Sequence, residues 1–285
     1  MTVILLSMMN SIYADPIPGF DPVGADAAAM AGAVTALSQS STNIYHNPAC
    51  LVDQVLSGGF GIQPVRFNEF PRSWWINLYN RSTDYGYPLS LIMQGWKQPT
   101  FDGERQNFMV GIPFAYKFSP YSPAALNFKW AMEKTPDGEW IGGFPVDFGF
   151  MARTNTGATY GMVFRNIVIG GNRFETMKRR TDLGLAYEAG VATYSIGTTA
   201  DSWDELKQSG KRIRTGFELS SNPSLALRGG FVRWDEENGE GEGRWYTGGV
   251  GLRSLEARMF VDYAFVYDQT NEDWKHFVQY VYMMR

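Results

Sequence analysis

The residues of this 285-residue chain that could do chemistry are charged ones placed inside otherwise apolar segments. Asp147, Arg153, Arg165, Asp182, Glu188, Arg214, Glu218, Arg228, Arg253, Arg258 and Asp262 each fall on the polar side of a short alternating stretch. Both signs are present, so Arg214, Glu218, Arg228, Arg258 and Asp262 are expected to pair with one another in a shared interior. Buried charges need such partners for stability alone, and the expectation is structural ion pairing without a ligand. Nothing assembles a catalyst. There is no G-x-S-x-G elbow and no H-E-x-x-H, and no group orients His46 or Ser38 as a base or nucleophile. His46 and His276 lack ligand-spaced partners, and the acidic stretch Asp235–Glu242 lacks the spacing of an EF-hand, so no metal site is read. Cys50 stands alone and reads as a small buried hydrophobe. No cofactor is implied.

The elements that would hold these charges are β-strands. No run approaches the roughly 18 to 20 apolar residues of a helical membrane span. From Ser57 onward, short segments alternate with period two, which puts apolar and polar residues on opposite faces. Phe108, Val110, Ile112, Phe114, Tyr116 and Phe118 oppose Asn107, Gly111, Ala115 and Lys117. Leu126, Phe128, Trp130 and Met132 oppose Asn127, Lys129 and Glu133. Ile213, Thr215, Phe217 and Leu219 oppose Arg214, Gly216 and Glu218, and Met259, Val261, Tyr263, Phe265 and Tyr267 oppose Arg258 and Asp262. The segments 57–67, 73–80, 87–96, 106–118, 124–133, 143–153, 157–168, 181–189, 191–200, 211–221, 224–235, 243–253, 257–268 and 274–284 make fourteen expected strands.

A face that mixes charge with Gly and Ala suits a lumen, and an aromatic opposite face suits lipid. The fold read from this is all-β, a transmembrane antiparallel barrel of about fourteen strands spanning 57–285. A soluble sandwich or propeller is the alternative. The connections 97–105, 134–142, 169–180, 201–210 and 236–242 are long and polar, whereas 119–123, 154–156, 222–223 and 254–256 are short. That alternation is expected of a barrel with long outer and short periplasmic connections. The net charge of −4 gives nucleic acid no basic surface.

Two segments precede the strands. Residues 1–14 carry an apolar stretch, Val3 to Met9, and a small residue at Ala14, like the end of a secretory signal. The basic flank is missing, so the true start is expected upstream. Residues 15–56 are expected to form a plug in the lumen. Ala27 to Leu37 favours helix with small side chains, and Asn47-Pro48-Ala49, an ordinary turn when taken alone, re-aims the chain before the first strand.

Gly24-Ala-Asp-Ala-Ala-Ala-Met30-Ala-Gly32-Ala-Val-Thr-Ala-Leu37, followed by His46-Asn47-Pro48-Ala49-Cys50-Leu51, resembles the N-terminal signature of FadL-like outer-membrane barrels. That pattern runs roughly G-A-R-A-x-x-M-G-G-A-x-T-A, then N-P-A-G-L; here Asp26, Ala31 and Cys50 depart from it. Phe164-Arg165-Asn166, Arg214-Thr-Gly216-Phe-Glu218, Leu225-Ala-Leu-Arg228-Gly-Gly-Phe231, Gly248-Gly-Val-Gly251-Leu-Arg253 and Asp262-Tyr263-Ala264-Phe265 resemble strands of the PorV/PorQ group of that superfamily. The chain ends Met284-Arg285, where such barrels usually end on an aromatic residue. The resemblance implies a fourteen-stranded barrel with an N-terminal hatch in the bacterial outer membrane. It also implies passage of hydrophobic small molecules, or a structural docking role in surface secretion as in PorV-like members. Met30, Ala33, Ala36, Asn47, Pro48 and Ala49 are the expected plug or ligand-path residues. The partners implied are outer-membrane lipid, a hydrophobic small-molecule ligand and a secretion or surface protein.

Overall fold

The computed structural model describes residues 23–38, 42–53, 58–63, 73–80, 88–100, 103–168, 174, 177, 179–200, 212–222, 224–235, 242–254, 256, 258–270 and 272–282. The expected signal segment 1–14 and the first residues of the expected plug lie outside that set. Fifteen strands form one sheet. They are β1 (Gly58–Gln63), β2 (Ser73–Asn80), β3 (Leu89–Thr100), β4 (Gly103–Ser119), β5 (Ser122–Lys134), β6 (Trp140–Gly143), β7 (Pro145–Arg153) and β8 (Ala158–Val168). The rest are β9 (Arg180–Ala189), β10 (Ala192–Ala200), β11 (Arg212–Asn222), β12 (Leu225–Asp235), β13 (Glu242–Ser254), β14 (Met259–Asp268) and β15 (Asp273–Tyr282).

Neighbouring strands pair antiparallel, and β1 pairs with β15, so the sheet closes on itself. β6 and β7 are one stave. Both pair with β5 in a single register, through Ala131↔Gly143 and Phe128↔Val146. The ladder is interrupted between them at Pro145, which has no N–H to donate. Fifteen strands therefore make a closed barrel of fourteen staves, an all-β transmembrane architecture. Beside that gap, β8 carries a bulge where the register to β7 shifts and Asn166 takes φ 53°.

Burial alternates along the strands as the sequence pattern requires. On β4, β5, β11, β14 and β15 every expected outward residue that is described points away from the lumen. Outward rings meet across strands, Phe114 against Phe128 and Phe108 against Trp130 on β4 and β5, and Phe265 and Tyr267 against Trp274 on β14 and β15.

Three local readings change. The stretch 97–105, expected as a loop, is mostly strand. β3 and β4 continue to Thr100↔Gly103, with Gly103 at φ 138° beside the turn and Lys97 3.1 Å from Glu104 across the pair. Polar outward residues there mark a hairpin rising beyond the apolar belt. The strands ending at Ala189 and starting at Ala192 pair directly, so Gly190 (φ 65°) and Val191 are the whole turn. The first strand is shorter than the expected 57–67, and 64–72 lies outside the described residues.

Candidate functional site: a segment docked in the lumen

Residues 23–38 and 42–53 lie on the inward faces of the strands. They form two short helices, Ala25–Ala29 and Asn43–His46, and a 3-10 turn, Pro48–Asp53. Nearly all of these residues are buried. An Ala-rich helix leaves little side chain between its backbone and the wall, and the wall answers with glycine.

Gly149, Gly161, Gly184, Gly197, Gly216, Gly230 and Gly249 occupy inward positions on consecutive strands from β7 to β13. Register sets several level with each other, as Gly161↔Gly184, Gly184↔Gly197 and Gly216↔Gly230. A Cβ at Gly184 would stand 2.9 Å from Thr35, at Gly216 2.7 Å from the Met30 carbonyl oxygen, and at Gly249 2.6 Å from Ala29. At Gly161 it would run into the Thr35 carbonyl. Glycine is needed here for close backbone approach.

The plug candidates sit along this track. Met30 covers Gly216 and Gly230, Ala33 approaches Gly197, and Ala36 lies over Gly161 and Gly184. Asn47 and Pro48 lie over Gly149. The Asn47 amide donates to the carbonyls of Thr35 (2.8 Å) and Phe150 (3.2 Å), while its oxygen accepts from the Ala49 N–H (3.0 Å). One buried side chain thus ties both parts of the segment to β7.

Charged side chains of the wall hold the segment at two buried places, besides the half-buried pair of Arg153 on β7 with Asp53. Arg165 on β8 donates to the carbonyls of Tyr45 (2.7 Å) and His46 and pairs with Asp182 on β9. Arg214 on β11 donates to the Gly32 carbonyl (3.1 Å) and reaches the same Asp182 (3.2 Å), which also accepts from Thr199 (2.5 Å). At the second place Arg228 bridges Glu218 (2.6 Å) and Asp262 (2.5 Å). Gln279 donates to Asp262 (2.7 Å) and accepts the Ala25 N–H (2.8 Å). Asp26 lies against this group and accepts from Thr42 (2.7 Å). Burial, and then the nearby Asp262 carboxylate, push Asp26 up to about 6, against the pull of Arg228. Burial, and then Arg165, hold His46 down at about 3, so it is neutral there.

The structure therefore sorts the expected charge residues. Glu218, Arg228 and Asp262 meet in one cluster. Arg214, expected opposite Glu218, belongs to the other and pairs with Asp182. Arg258 joins neither: it occupies the turn before β14 at φ 54°. Among the described residues there is no group of His, Cys, Asp and Glu able to hold a metal.

The side of the lumen under β2–β4 is different. Its inward residues include Trp75, Tyr79, Ile92 and Met109, which pack with Tyr45, Leu51 and Met151 in one apolar cluster. Tyr45 donates its hydroxyl between two wall carbonyls, Ile76 (2.5 Å) and Met93 (3.0 Å), and its ring meets Trp75 edge-on at 5.9 Å. A second inward apolar group, Val232, Trp234, Trp245, Val266 and Phe277, covers β12–β15 next to the first helix. None of these inward aromatics was marked by the sequence reading. The sign available was a hydrophobic residue on the parity otherwise given to Gly, Asn and charge.

No protein-family model matches the chain, and no curated protein is similar to it in sequence. Its fold is that of FadL-type outer-membrane channels. The CymD monoaromatic hydrocarbon channel superposes with a TM-score of 0.72 at 14% identity, over 94% of this chain and 99% of that one. The Ralstonia pickettii toluene transporter TbuX gives 0.70 at 13%, over 94% and 100%. A Pseudomonas aeruginosa FadL homologue gives 0.61 at 7%, over 92% and 98%.

Proposed function

We propose that this protein passes hydrophobic small molecules across the bacterial outer membrane, and that the segment 24–51 is the hatch that controls access. One observation carries the reading: two inward apolar clusters, Trp75, Tyr79, Ile92 and Met109 on β2–β4 and Val232, Trp234, Trp245, Val266 and Phe277 on β12–β15, share the lumen wall with its polar side chains and border the docked segment. A water-filled pore has a polar interior. An apolar lining next to a docked segment suits a dry solute, and the neighbours in fold named above are channels and transporters of that kind. The residues offered for the path are Met30, Ala33, Ala36, Asn47, Pro48 and Ala49, with the wall aromatics Trp75, Trp234 and Trp245 beside them.

The test is uptake of a radiolabelled aromatic hydrocarbon by cells that carry or lack the protein, with Ala33→Trp and Ala36→Trp as blocked forms. Expression should raise uptake, and the blocked forms should lose the gain while still shifting on gels after boiling. The short connections, with β3 and β4 joined only by residues 101–102, favour a second reading as a docking barrel for surface secretion. Unchanged uptake together with loss of a surface-exported protein on deletion would favour that role and sink the first.

A further inference from the structure

Several wall glycines lie beneath an aromatic ring of the strand alongside. Trp74 over Gly95, Phe217 over Gly229 and Phe265 over Gly248 are register partners of this kind on the lipid face. There a ring covers bare backbone and steadies the sheet. Two further pairs face the lumen: Trp234 covers Gly243, and Trp75 covers Gly61. A Cβ at Gly61 would run into the Trp75 indole, and a Cβ at Gly59 would stand 3.1 Å from two further carbons of the same ring. The indole therefore lies across two inward glycines of β1, close against the backbone, and is buried.

The two inward indoles differ in what meets them. Trp234 meets Trp245 with 5.5 Å between centroids at 81°, and the Lys275 ammonium stands 4.2 Å from the centre of the Trp245 ring. All three groups belong to strands, so this stack survives a movement of the docked segment. Trp75 meets Tyr45, 5.9 Å away at 63°, and Tyr45 belongs to the docked segment. Its ring contact thus comes from a group that can leave. Another planar ring replaces Tyr45 best, because the quadrupoles of two rings favour edge-to-face or offset stacking. A saturated ring of the same size offers dispersion alone. Both side chains belong to one apolar cluster with Ile92, Met109 and Leu51, so an incoming solute needs no polar group.

We propose that Trp75 is the specificity-determining residue of the passage, and that it selects planar aromatic rings, which take the place of the Tyr45 ring against its indole. Solute and docked segment then compete for one side chain, so a solute of the right shape loosens residues 43–46 as it enters. The inference rests on the passage of hydrophobic small molecules proposed above and narrows its solute class.

Uptake of radiolabelled toluene and methylcyclohexane, which share one carbon skeleton, by cells that carry or lack the full chain tests it. The gain on expression should be about fivefold larger for toluene, the size of one aromatic pair contact. Trp75→Leu should bring that ratio close to one while methylcyclohexane uptake persists, and Trp75→Phe should restore most of it. Trp74→Leu, which uncovers Gly95 on the lipid face, should leave the ratio unchanged. Toluene should also raise hydrogen exchange at residues 43–46 in the purified native protein and add nothing in Trp75→Leu. Heat-shifted migration on gels confirms that each variant is a folded barrel. A native ratio near one, or a ratio that Trp75→Leu leaves unchanged, overturns the role of Trp75 and lets the passage stand. No gain of either solute on expression of the native chain overturns the passage, and the selectivity with it.

Discussion

The two halves of the lumen hold the docked segment in different ways. Along β7–β13 contact is backbone to backbone over glycine, with Arg165 and Arg214 gripping carbonyls that cannot be altered by changing a side chain. Under β2–β4 contact is side chain to side chain, among Trp75, Tyr79, Ile92, Met109, Tyr45 and Leu51. The first kind of contact is all or nothing, because a glycine track allows no repacking. The second can rearrange through rotamers. If anything in the lumen yields to a solute, it is the β2–β4 side, while the glycine side anchors.

Arg165→Ala should have the largest effect on that contrast. It removes both carbonyl contacts and one partner of Asp182 in one step, leaving Asp182 with Arg214 and Thr199. Breaking a buried pair from one side costs about 3–5 kcal/mol. Hydrogen exchange should rise in 42–53 and the urea midpoint of the barrel should fall. Protection unchanged at 42–53 would show that the anchor lies elsewhere.

Next in size is a pair of opposed pH effects. Asp26 has its pKa raised from 3.8 to about 6 in the docked state, so its contribution is complete below about 3.8 and is lost as pH rises through about 6. His46 has its pKa lowered from 6.5 to about 3, so its contribution is complete above about 6.5 and is lost as pH falls toward about 3. Each shift corresponds to roughly 3–5 kcal/mol at its limit. Between about pH 4 and about pH 6 the two oppose each other in the native chain. Asp26→Asn should leave the His46 dependence, with exchange of 24–37 and 42–53 rising on acidification. His46→Gln should leave the Asp26 dependence, with exchange rising toward neutral pH. The same slope in both variants would refute the assignment.

Gly161→Val should cost about 1–3 kcal/mol as overpacking on the anchored side. Single-channel conductance would rise if the segment is displaced. Ile92→Val on the other side should cost about 0.5–1.5 kcal/mol and leave the barrel closed. A reversal, with Gly161→Val silent, would exchange the roles of the two halves.

Much of the outer surface was legible in the sequence, because a lipid face imposes period two with little exception. Phe108 to Phe118 and Ile213 to Leu219 could be placed outward from spacing alone. The anchored half was not legible. Gly161, Gly184 and Gly197 look like ordinary strand glycines until register brings them level. The ion pairs were half legible: Arg214 and Glu218 share a face four residues apart, but their partners come from other strands, Asp182 on β9, two strands away, and Arg228 on the adjacent β12. The hairpin at 97–105 was misread because polar outward residues beyond the belt resemble a loop. The apolar half escaped because Trp74, Trp75 and Ile76 are hydrophobic on both parities, which hides the alternation.

The smallest expected effect is the most specific to the yielding half. Tyr45 donates its hydroxyl to the carbonyls of Ile76 and Met93, which are register partners on β2 and β3. One phenol therefore fastens the docked segment to the seam between two wall strands, while its ring stays in the apolar cluster. Tyr45→Phe keeps the ring and removes only the hydrogen bonds, so it should cost about 0.5–1.5 kcal/mol. Global stability should hardly change, since the ring contact with Trp75 and the anchors at Arg165 and Arg214 remain. Exchange at residues 43–46 and at 76 and 93 should rise together if this seam is the place that opens. If the apolar half is as fixed as the glycine half, Tyr45→Phe will raise exchange at neither strand, and the contrast between the two halves fails where it is easiest to observe.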